Sequence, residues 1–147
     1  MEDTTKRLIL MVGLPQSGKT TEALRMGYPI VSPDAVRMTL GCYPFHRRRE
    51  GEVWSVVWTT VRTLFNAGHD TVILDSNNVT AQYRRNWHKA EWSVRYKLVE
   101  CPVDECLNRA IRGGKEYLIP VIEKLATDWA EVSDDAEPGF SDRLVEE

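Results

Sequence analysis

The sequence lacks several features that would assign it to common classes of protein. Its three cysteines are an odd number without paired spacing, so they predict neither a disulfide framework nor a zinc site. No apolar run approaches the roughly 20 residues that a membrane-spanning helix needs. Residues 1–7 lead directly into a strand pattern, and no signal peptide is expected. These absences favour a cytoplasmic protein with reduced thiols and no membrane partner.

The composition is that of one globular domain, and its charge is unevenly distributed. Apolar residues make up 42% and charged residues 28% of the 147 residues. The formal net charge is −3, but residues 131–147 hold seven acidic residues against Arg143, which leaves the rest of the chain mildly basic. We therefore expect a folded domain over 1–132 and an acidic C-terminal tail over 133–147. A solvated surface is the simpler interpretation of the basic clusters, although a polyanionic partner would also suit them; they lie at 46–49, 83–89 and 109–115.

Strand and helix patterns alternate along the chain. Short apolar runs predict strands at 6–12, 29–32, 71–75 and 95–101. Apolar residues at helical spacing predict a helix from about Gly18 and further helices at 33–41, 52–68, 80–92, 103–114 and 120–132. The alternation predicts an α/β fold, a three-layer α/β/α sandwich around a parallel sheet of about four to five strands. In such sheets ligands bind at the carboxyl ends of the strands, here 13–20, 32–37, 75–78 and 101–104.

The segment GLPQSGKT, residues 13–20, matches G-x-x-x-x-G-K-[ST] at every fixed position and lies between a strand and a helix. Gly13 and Gly18 let the backbone curl so that its N–H groups and the helix dipole face an anion. Lys19 is predicted to reach the β- and γ-phosphates, Thr20 to bind Mg²⁺, and Thr21 to approach the α-phosphate. A glycine-rich turn without a ligand is the alternative. The predicted nucleotide-binding loop comprises Gly13, Pro15, Gln16, Ser17, Gly18, Lys19, Thr20 and Thr21.

Three acidic and basic positions at the same edge of the sheet are candidates for the acceptor side. Asp75 ends the third strand and could hold Mg²⁺ through a water molecule or position an acceptor, or it could simply cap its loop. Asp34 and Arg37 share one face at the start of a helix. Asp34 could accept a hydroxyl proton and Arg37 could bind a phosphate, unless the two only stabilise the helix as an ion pair.

A fourth segment, LNRAIRGGKEY, resembles a lid. Arg109 and Arg112 lie on one face of a helix that runs into paired glycines, so residues 109–118 could close over the phosphates. A solvated helix face is the alternative interpretation.

These motifs occur in an order that resembles the kinase domain of bacteriophage polynucleotide kinase and the wider group of small P-loop kinases that includes zeta toxins. The resemblance covers about residues 6–130 and rests on GLPQSGKTT, SPDAVR, VILDSNN with YRRNW, and RAIRGGK. It implies a P-loop kinase fold, ATP as the donor and Mg²⁺ as the metal. The segment GCYPFHRRRE, residues 41–50, departs from the family pattern and borders the acceptor side.

The resemblance also implies roles for individual residues. Lys19 and Thr20 would bind the ATP phosphates and Mg²⁺, and Asp34 would be the general base toward a 5′-hydroxyl. Arg37 would hold the acceptor phosphate, and Asp75 would help build the acceptor site by orienting Arg37. Two further matches are Arg112, as the lid arginine on the donor phosphates, and Asn77, in the loop that follows Asp75.

The sequence therefore predicts an ATP-dependent kinase whose acceptor is a hydroxyl of a nucleic acid or nucleotide, first of all a polynucleotide 5′-hydroxyl. One alternative is a phage DNA kinase that phosphorylates a hydroxymethyl group on a modified base, with Arg47 and its basic neighbours along the backbone. Others are a small-molecule or nucleotide-sugar kinase and, without catalysis, a nucleotide-dependent switch. If the gene belongs to a phage, the expected compartment is the host cytoplasm. The oligomeric state is not indicated.

Overall fold

A computed structural model describes residues 5–129, so the predicted acidic tail lies outside the described residues. The strands are β1 (Arg7–Val12), β2 (Ile30–Val31), β3 (Thr71–Leu74) and β4 (Ser93–Leu98). The helices are α1 (Lys19–Met26), α2 (Pro33–Leu40), α3 (Glu50–Asn66), α4 (Ala81–Arg85), α5 (Val103–Arg112) and α6 (Ile119–Asp128), with 3-10 turns at Arg47–Arg49 and Glu116–Leu118. Within residues 5–129, no helix combines the length and the apolar content needed to cross a bilayer.

The four strands form one parallel sheet in the order β2-β3-β1-β4, which confirms the predicted α/β fold. Leu10 of β1 lies opposite Leu74 of β3 on one side and Tyr96 of β4 on the other. From β1 the chain moves toward β2, whereas from β3 it moves across β1 to β4. The strand order therefore reverses between β1 and β3, and the loops that follow these two strands border the crevice where such sheets bind ligands.

Alternate residues of β1 face two different helix layers, as expected for a strand buried on both faces. Leu8, Leu10 and Val12 pack in the cluster that includes the apolar face of α3. Ile9 and Met11 pack against α1. The tryptophans of α3 belong to the first layer, where Trp58 stacks on Trp87 at a centroid distance of 3.7 Å and Trp54 lies at the edge of the same cluster. These tryptophans therefore contribute to the core.

Two predicted elements differ from the structure around residues 80–95. The helix predicted over 80–92 ends at Arg85, because Trp87 and Trp92 are both buried and the Trp92 indole donates to the Trp87 carbonyl at 2.7 Å. The strand predicted over 95–101 instead spans Ser93–Leu98, since Ser93 N–H already bonds the Lys6 carbonyl at 2.9 Å. A compact turn around Trp87 and Trp92 thus replaces the last predicted helical turns, and the edge strand β4 begins two residues earlier than predicted.

Candidate active site

The loop between β1 and α1 has a backbone that few sequences can adopt. Gln16 and Gly18 have φ values of 71° and 105°, in the left-handed region that disfavours most side chains. A Cβ atom at Gly13 would lie 2.7 Å from the Ser17 hydroxyl and 2.7 Å from the Val99 carbonyl. The loop therefore closes on itself at a spacing that only glycine permits, and its end leads directly into the N-terminus of α1.

Lys19 is buried beneath this loop. Its ammonium donates to the Leu14 carbonyl at 2.7 Å, and burial lowers its pKa to about 8 against the partly opposing effects of Asp75, Cys106 and Asp34. Ser17 is also buried, and its hydroxyl oxygen has no hydrogen-bond partner among residues 5–129. A desolvated cation and an unsatisfied hydroxyl in one loop fit an anionic ligand such as a nucleotide phosphate.

Thr20 and Asp75 join the first turn of α1 to the end of β3. The Thr20 hydroxyl donates to the Asp75 carboxylate at 2.7 Å, and Asp75 N–H is fixed by the Val31 carbonyl at 2.9 Å. No group of three or more His, Cys, Asp or Glu side chains in the described part of the chain forms a metal cage. One hydroxyl and one carboxylate fit Mg²⁺, which usually completes its shell with phosphate oxygens and water.

The loop after Asp75 supports the phosphate-binding loop through backbone groups. Gly13 N–H donates to the Asn77 carbonyl at 3.0 Å. The buried Asn78 side chain donates to the Met11 carbonyl at 2.8 Å, and the buried Arg84 guanidinium donates to the Asn78 carbonyl at 2.9 Å. Asn77 therefore contacts the donor loop through its backbone, and Asn78 and Arg84 are structural residues that the sequence analysis missed. The predicted basic cluster at 83–89 is thus partly internal.

Asp34 and Arg37 meet at the start of α2, which the Ser32 hydroxyl caps by accepting from Ala35 N–H at 3.1 Å. Arg37 Nη1 donates to Asp34 Oδ1 at 2.7 Å. Its Nε and Nη2 atoms donate to the two carboxylate oxygens of Glu50 at 2.9 and 2.8 Å. The structure thus gives Arg37 a partner other than Asp75. Glu50 was not predicted as a partner of Arg37, because it lies thirteen residues further along the chain, beyond any helical spacing.

These contacts alter the charge properties of the pair. Hydrogen bonds from Arg37 lower the pKa of Glu50, and hydrogen bonds to Glu50 raise the pKa of Arg37. Both groups therefore remain ionised over the physiological range.

The predicted lid arginines converge on one carboxylate. Arg109 Nε and Arg112 Nη2 donate to Glu105 Oε2 at 2.9 and 3.1 Å, and these hydrogen bonds lower the pKa of Glu105. Arg109 also donates to the Gln16 carbonyl of the phosphate-binding loop at 3.0 Å. Arg112 is the more exposed of the two, with 63% of its side chain accessible. Arg109 therefore contacts the loop, whereas Arg112 contacts Glu105 and is largely exposed.

A tyrosine pair joins the acceptor side to the lid. The Tyr43 and Tyr117 hydroxyls lie 3.0 Å apart, and their rings meet edge to face with centroids 6.4 Å apart. This hydrogen bond is the largest cause that raises the pKa of Tyr43 to about 12, and the charges of Asp34 and Arg37 also act on it. Tyr43 is therefore close to the candidate base, whereas Arg47 lies exposed in the following 3-10 turn.

The sheet order and the loop geometry define a P-loop kinase fold. The chain matches the model of a family described as an AAA domain over residues 8–116, which is most of its length. It belongs to that family.

Solved structures share this fold at low sequence identity. A chain of the Pnkp1/Rnl/Hen1 RNA repair complex is 17% identical, with a TM-score of 0.66 over 87% of this chain and 47% of that chain. A gluconokinase from Sinorhizobium meliloti 1021 is 15% identical, with a TM-score of 0.55 over 88% of this chain and 78% of its own. The APS kinase CysC of Mycobacterium tuberculosis, solved with AMPPNP and APS, is 18% identical, with a TM-score of 0.52 over 76% and 72%. This chain spans less than half of the RNA repair chain that it matches.

Proposed function

We propose that this protein is an ATP- and Mg²⁺-dependent kinase that transfers the γ-phosphate to a hydroxyl of a nucleic acid or nucleotide, with a polynucleotide 5′-hydroxyl as the first candidate. One observation carries the proposal. The Thr20 hydroxyl bonds Asp75 at 2.7 Å in the helical turn that begins with the buried Lys19, and the charges of Asp75 and Asp34 both act on the Lys19 ammonium. A candidate metal ligand and a candidate base therefore lie near one candidate phosphate-binding cation. A pure nucleotide switch has no need of a carboxylate in the position of Asp34.

The proposed transfer uses each group in a definite way. The acceptor oxygen attacks the γ-phosphorus, its proton passes to Asp34, and the bond from the γ-phosphorus to the bridging oxygen of ADP breaks. Lys19 donates to the β- and γ-phosphates, and Arg112 closes from the lid onto the charge that develops on the transferred group. Bound at Thr20 and Asp75, Mg²⁺ would neutralise phosphate charge. Arg37 would hold a phosphate of the acceptor strand.

The acceptor site also carries an argument for a second candidate, a small-molecule or nucleotide-sugar kinase. Arg37 already faces two carboxylates, Asp34 and Glu50, so the three side chains together carry a net negative charge. A neutral polyol tolerates such a site better than a polyanion does. Salt separates the two candidates, because an acceptor bound through several phosphates must bind more weakly as ionic strength rises.

The test is incubation with γ-labelled ATP and Mg²⁺ in parallel with a 5′-hydroxyl oligonucleotide, a duplex that contains hydroxymethylated bases, and a panel of polyols and nucleotide sugars. We expect label at the oligonucleotide 5′ end, and none with Lys19→Met. Label on a base after digestion to nucleosides would identify a modified-base kinase. Label on a small molecule alone would favour the second candidate, and label nowhere would contradict the kinase proposal.

A further inference from the structure

Glu50 has no role in the motifs, yet it holds the residue at the centre of the acceptor side. We propose that Glu50 is a positioning residue, which fixes Arg37 and, through Arg37, the Asp34 carboxylate that receives the acceptor proton. The inference rests on the proposed function, since it requires an acceptor at Arg37.

The contacts form a chain that runs from the interior to the surface. Glu50 and Arg37 meet through two parallel hydrogen bonds, the geometry that fixes a guanidinium in plane and direction. Their side chains are 19% and 15% exposed, whereas Asp34 at the other end is 60% exposed. The Glu50 end of the chain is therefore the more enclosed, and the Asp34 end faces the solvent from which an acceptor must arrive.

Glu50 is itself anchored by the core. It is the first residue of α3, where the helix dipole favours a carboxylate. The Trp54 indole, one turn further along the helix, donates to Glu50 Oε1 at 3.2 Å. Trp54 in turn packs near Trp87 with ring centroids 6.5 Å apart. The position of the acceptor arginine is thus tied to the tryptophan cluster beneath the sheet.

This arrangement determines which oxygen of Asp34 is available. Arg37 uses only Nη1 on Asp34 and bonds only Oδ1, because its Nε and Nη2 are committed to Glu50. Asp34 Oδ2 is left for the acceptor hydroxyl, and one N–H on each terminal nitrogen of Arg37 is left for an acceptor oxygen. Without Glu50, Arg37 could turn and bind both oxygens of Asp34, which would block the base.

The test compares Glu50→Gln with the matched control Glu52→Gln. Glu52 lies two residues further along α3 and pairs with Arg49 at 2.9 and 3.0 Å. Both variants therefore alter the first turn of α3, and each replaces a carboxylate that pairs with an arginine by a neutral amide. A glutamine at position 50 can accept one of the two bonds but opposes a donor to the other. We expect kcat/KM for a 5′-hydroxyl oligonucleotide to fall about 10- to 100-fold in Glu50→Gln, through kcat and the acceptor KM, and less than about twofold in Glu52→Gln.

A double-mutant cycle distinguishes positioning from a structural role. If Glu50 acts through Arg37, then Glu50→Gln added to Arg37→Gln should cause little further loss. Glu50→Asp retains the charge and should recover part of kcat. The ATP KM and the melting temperature should stay close to wild type in Glu50→Gln and in Arg37→Gln. Additive losses, or a parallel fall in ATP affinity, would overturn the inference.

Failure of the inference and failure of the proposed function give different results. If wild type transfers phosphate and the two glutamine variants behave alike, the kinase proposal stands and the role of Glu50 is wrong. If wild type transfers nothing, the kinase proposal fails, and oligonucleotide binding without ATP decides the inference. Binding weakened by Glu50→Gln but not by Glu52→Gln would support it, and equal or absent binding would overturn it.

Discussion

The donor and acceptor sides of the candidate site are built in different ways. On the donor side, one continuous segment, residues 13–20, supplies the cradle, the cation and the proposed metal-binding hydroxyl, and Asp75, which directly follows β3, completes it. On the acceptor side, Asp34 and Arg37 come from α2, Glu50 comes from α3, and Tyr43 comes from the loop between these helices.

The difference has a functional consequence. The cradle of the donor side is backbone that directly follows β1, so we expect it to bind the same phosphates with every acceptor. The acceptor side consists of side chains on two helices and a loop, which can change without disturbing the sheet. Substitutions on the donor side should therefore abolish activity toward every acceptor, whereas those on the acceptor side, apart from the candidate base Asp34, should change which acceptor is used.

The largest expected effect is that of Lys19→Met on the donor side. Loss of the cation at the transferring phosphate should reduce kcat by at least about 10³-fold with every acceptor, as measured by label transfer. Lys124→Met is the control, because Lys124 is exposed and its ion-pair partner among residues 5–129 is Asp128, one helical turn away at 2.6 Å. Activity that survives with one acceptor and disappears with another would show that the two sides are not separable.

Asp34→Asn tests the acceptor side at its reacting group. We expect transfer to fall roughly 10²- to 10³-fold, because the amide cannot take the hydroxyl proton, while ATP binding by equilibrium titration stays near wild type. Asp104→Asn is matched, since Asp104 is also the second residue of an exposed helix N-terminus. Full activity of Asp34→Asn would remove Asp34 from the mechanism.

The same contrast explains what the sequence could predict. The P-loop was predictable because its function depends on contiguous residues and on the strand and helix that flank it. The pairing of Asp34 with Arg37 was visible as helical spacing. The bond from Arg37 to Glu50 was not, since it joins two helices whose approach is set by packing between them.

Two further errors have a common physical cause. Residues 80–92 have a helix-like pattern, but their apolar positions are used to surround Trp58 with Trp87 and Trp92. Arg84 has the sequence context of a surface residue, yet it is fully buried on a backbone carbonyl near the Tyr96 ring, at 5.9 Å from its centroid. Tertiary packing determines both the early end of this helix and the burial of Arg84, and a local sequence pattern does not reveal such packing.

The lid arginines allow a sharper comparison on the donor side. Arg109 contacts the Gln16 carbonyl, so Arg109→Gln should mainly raise the ATP KM. Arg112 has no such contact among residues 5–129, and Arg112→Gln should lower kcat about 10- to 100-fold if it stabilises the transition state. Steady-state kinetics at varied ATP separates the two. A pure KM effect for Arg112 and a pure kcat effect for Arg109 would reverse these assignments.

The depressed pKa of Lys19 predicts a pH dependence of nucleotide binding. Above pH 8, Lys19 in the free protein is increasingly neutral and must take up a proton when it binds phosphate. Affinity for ATP should therefore fall up to about tenfold per pH unit above pH 8, measured by calorimetric titration. Lys19→Arg is the control, because its guanidinium stays charged and its affinity, although weaker, should be flat over the same range.

The same pKa fixes the sign of a stability effect. Because the pKa of Lys19 is about 8 in the folded protein and 10.5 in the unfolded chain, the unfolded chain binds the proton more tightly. Burial of the charged Lys19 ammonium lowers the free energy of unfolding. This destabilisation is complete below pH 8 and decreases as the pH rises toward 10.5. Lys19→Met should accordingly be more stable than wild type by about 1–3 kcal/mol at pH 7, and urea unfolding should show the gap narrow above pH 8.

The smallest expected effect lies where the two sides meet. Tyr43→Phe keeps the ring but removes the hydrogen bond to Tyr117, which joins the acceptor loop to the lid. An exposed hydrogen bond lies at the low end of the usual range of about 0.5–1.5 kcal/mol, so we expect the acceptor KM to rise about two- to threefold with little change in melting temperature. Tyr117→Phe should have the same effect, and the double variant should add nothing, because both changes break one bond. Tyr83→Phe, at an exposed ring on α4, is the control. If the ATP KM rose instead, the tyrosine pair would act on the donor side, and the loop that contains Tyr43 would contribute to both sides of the site.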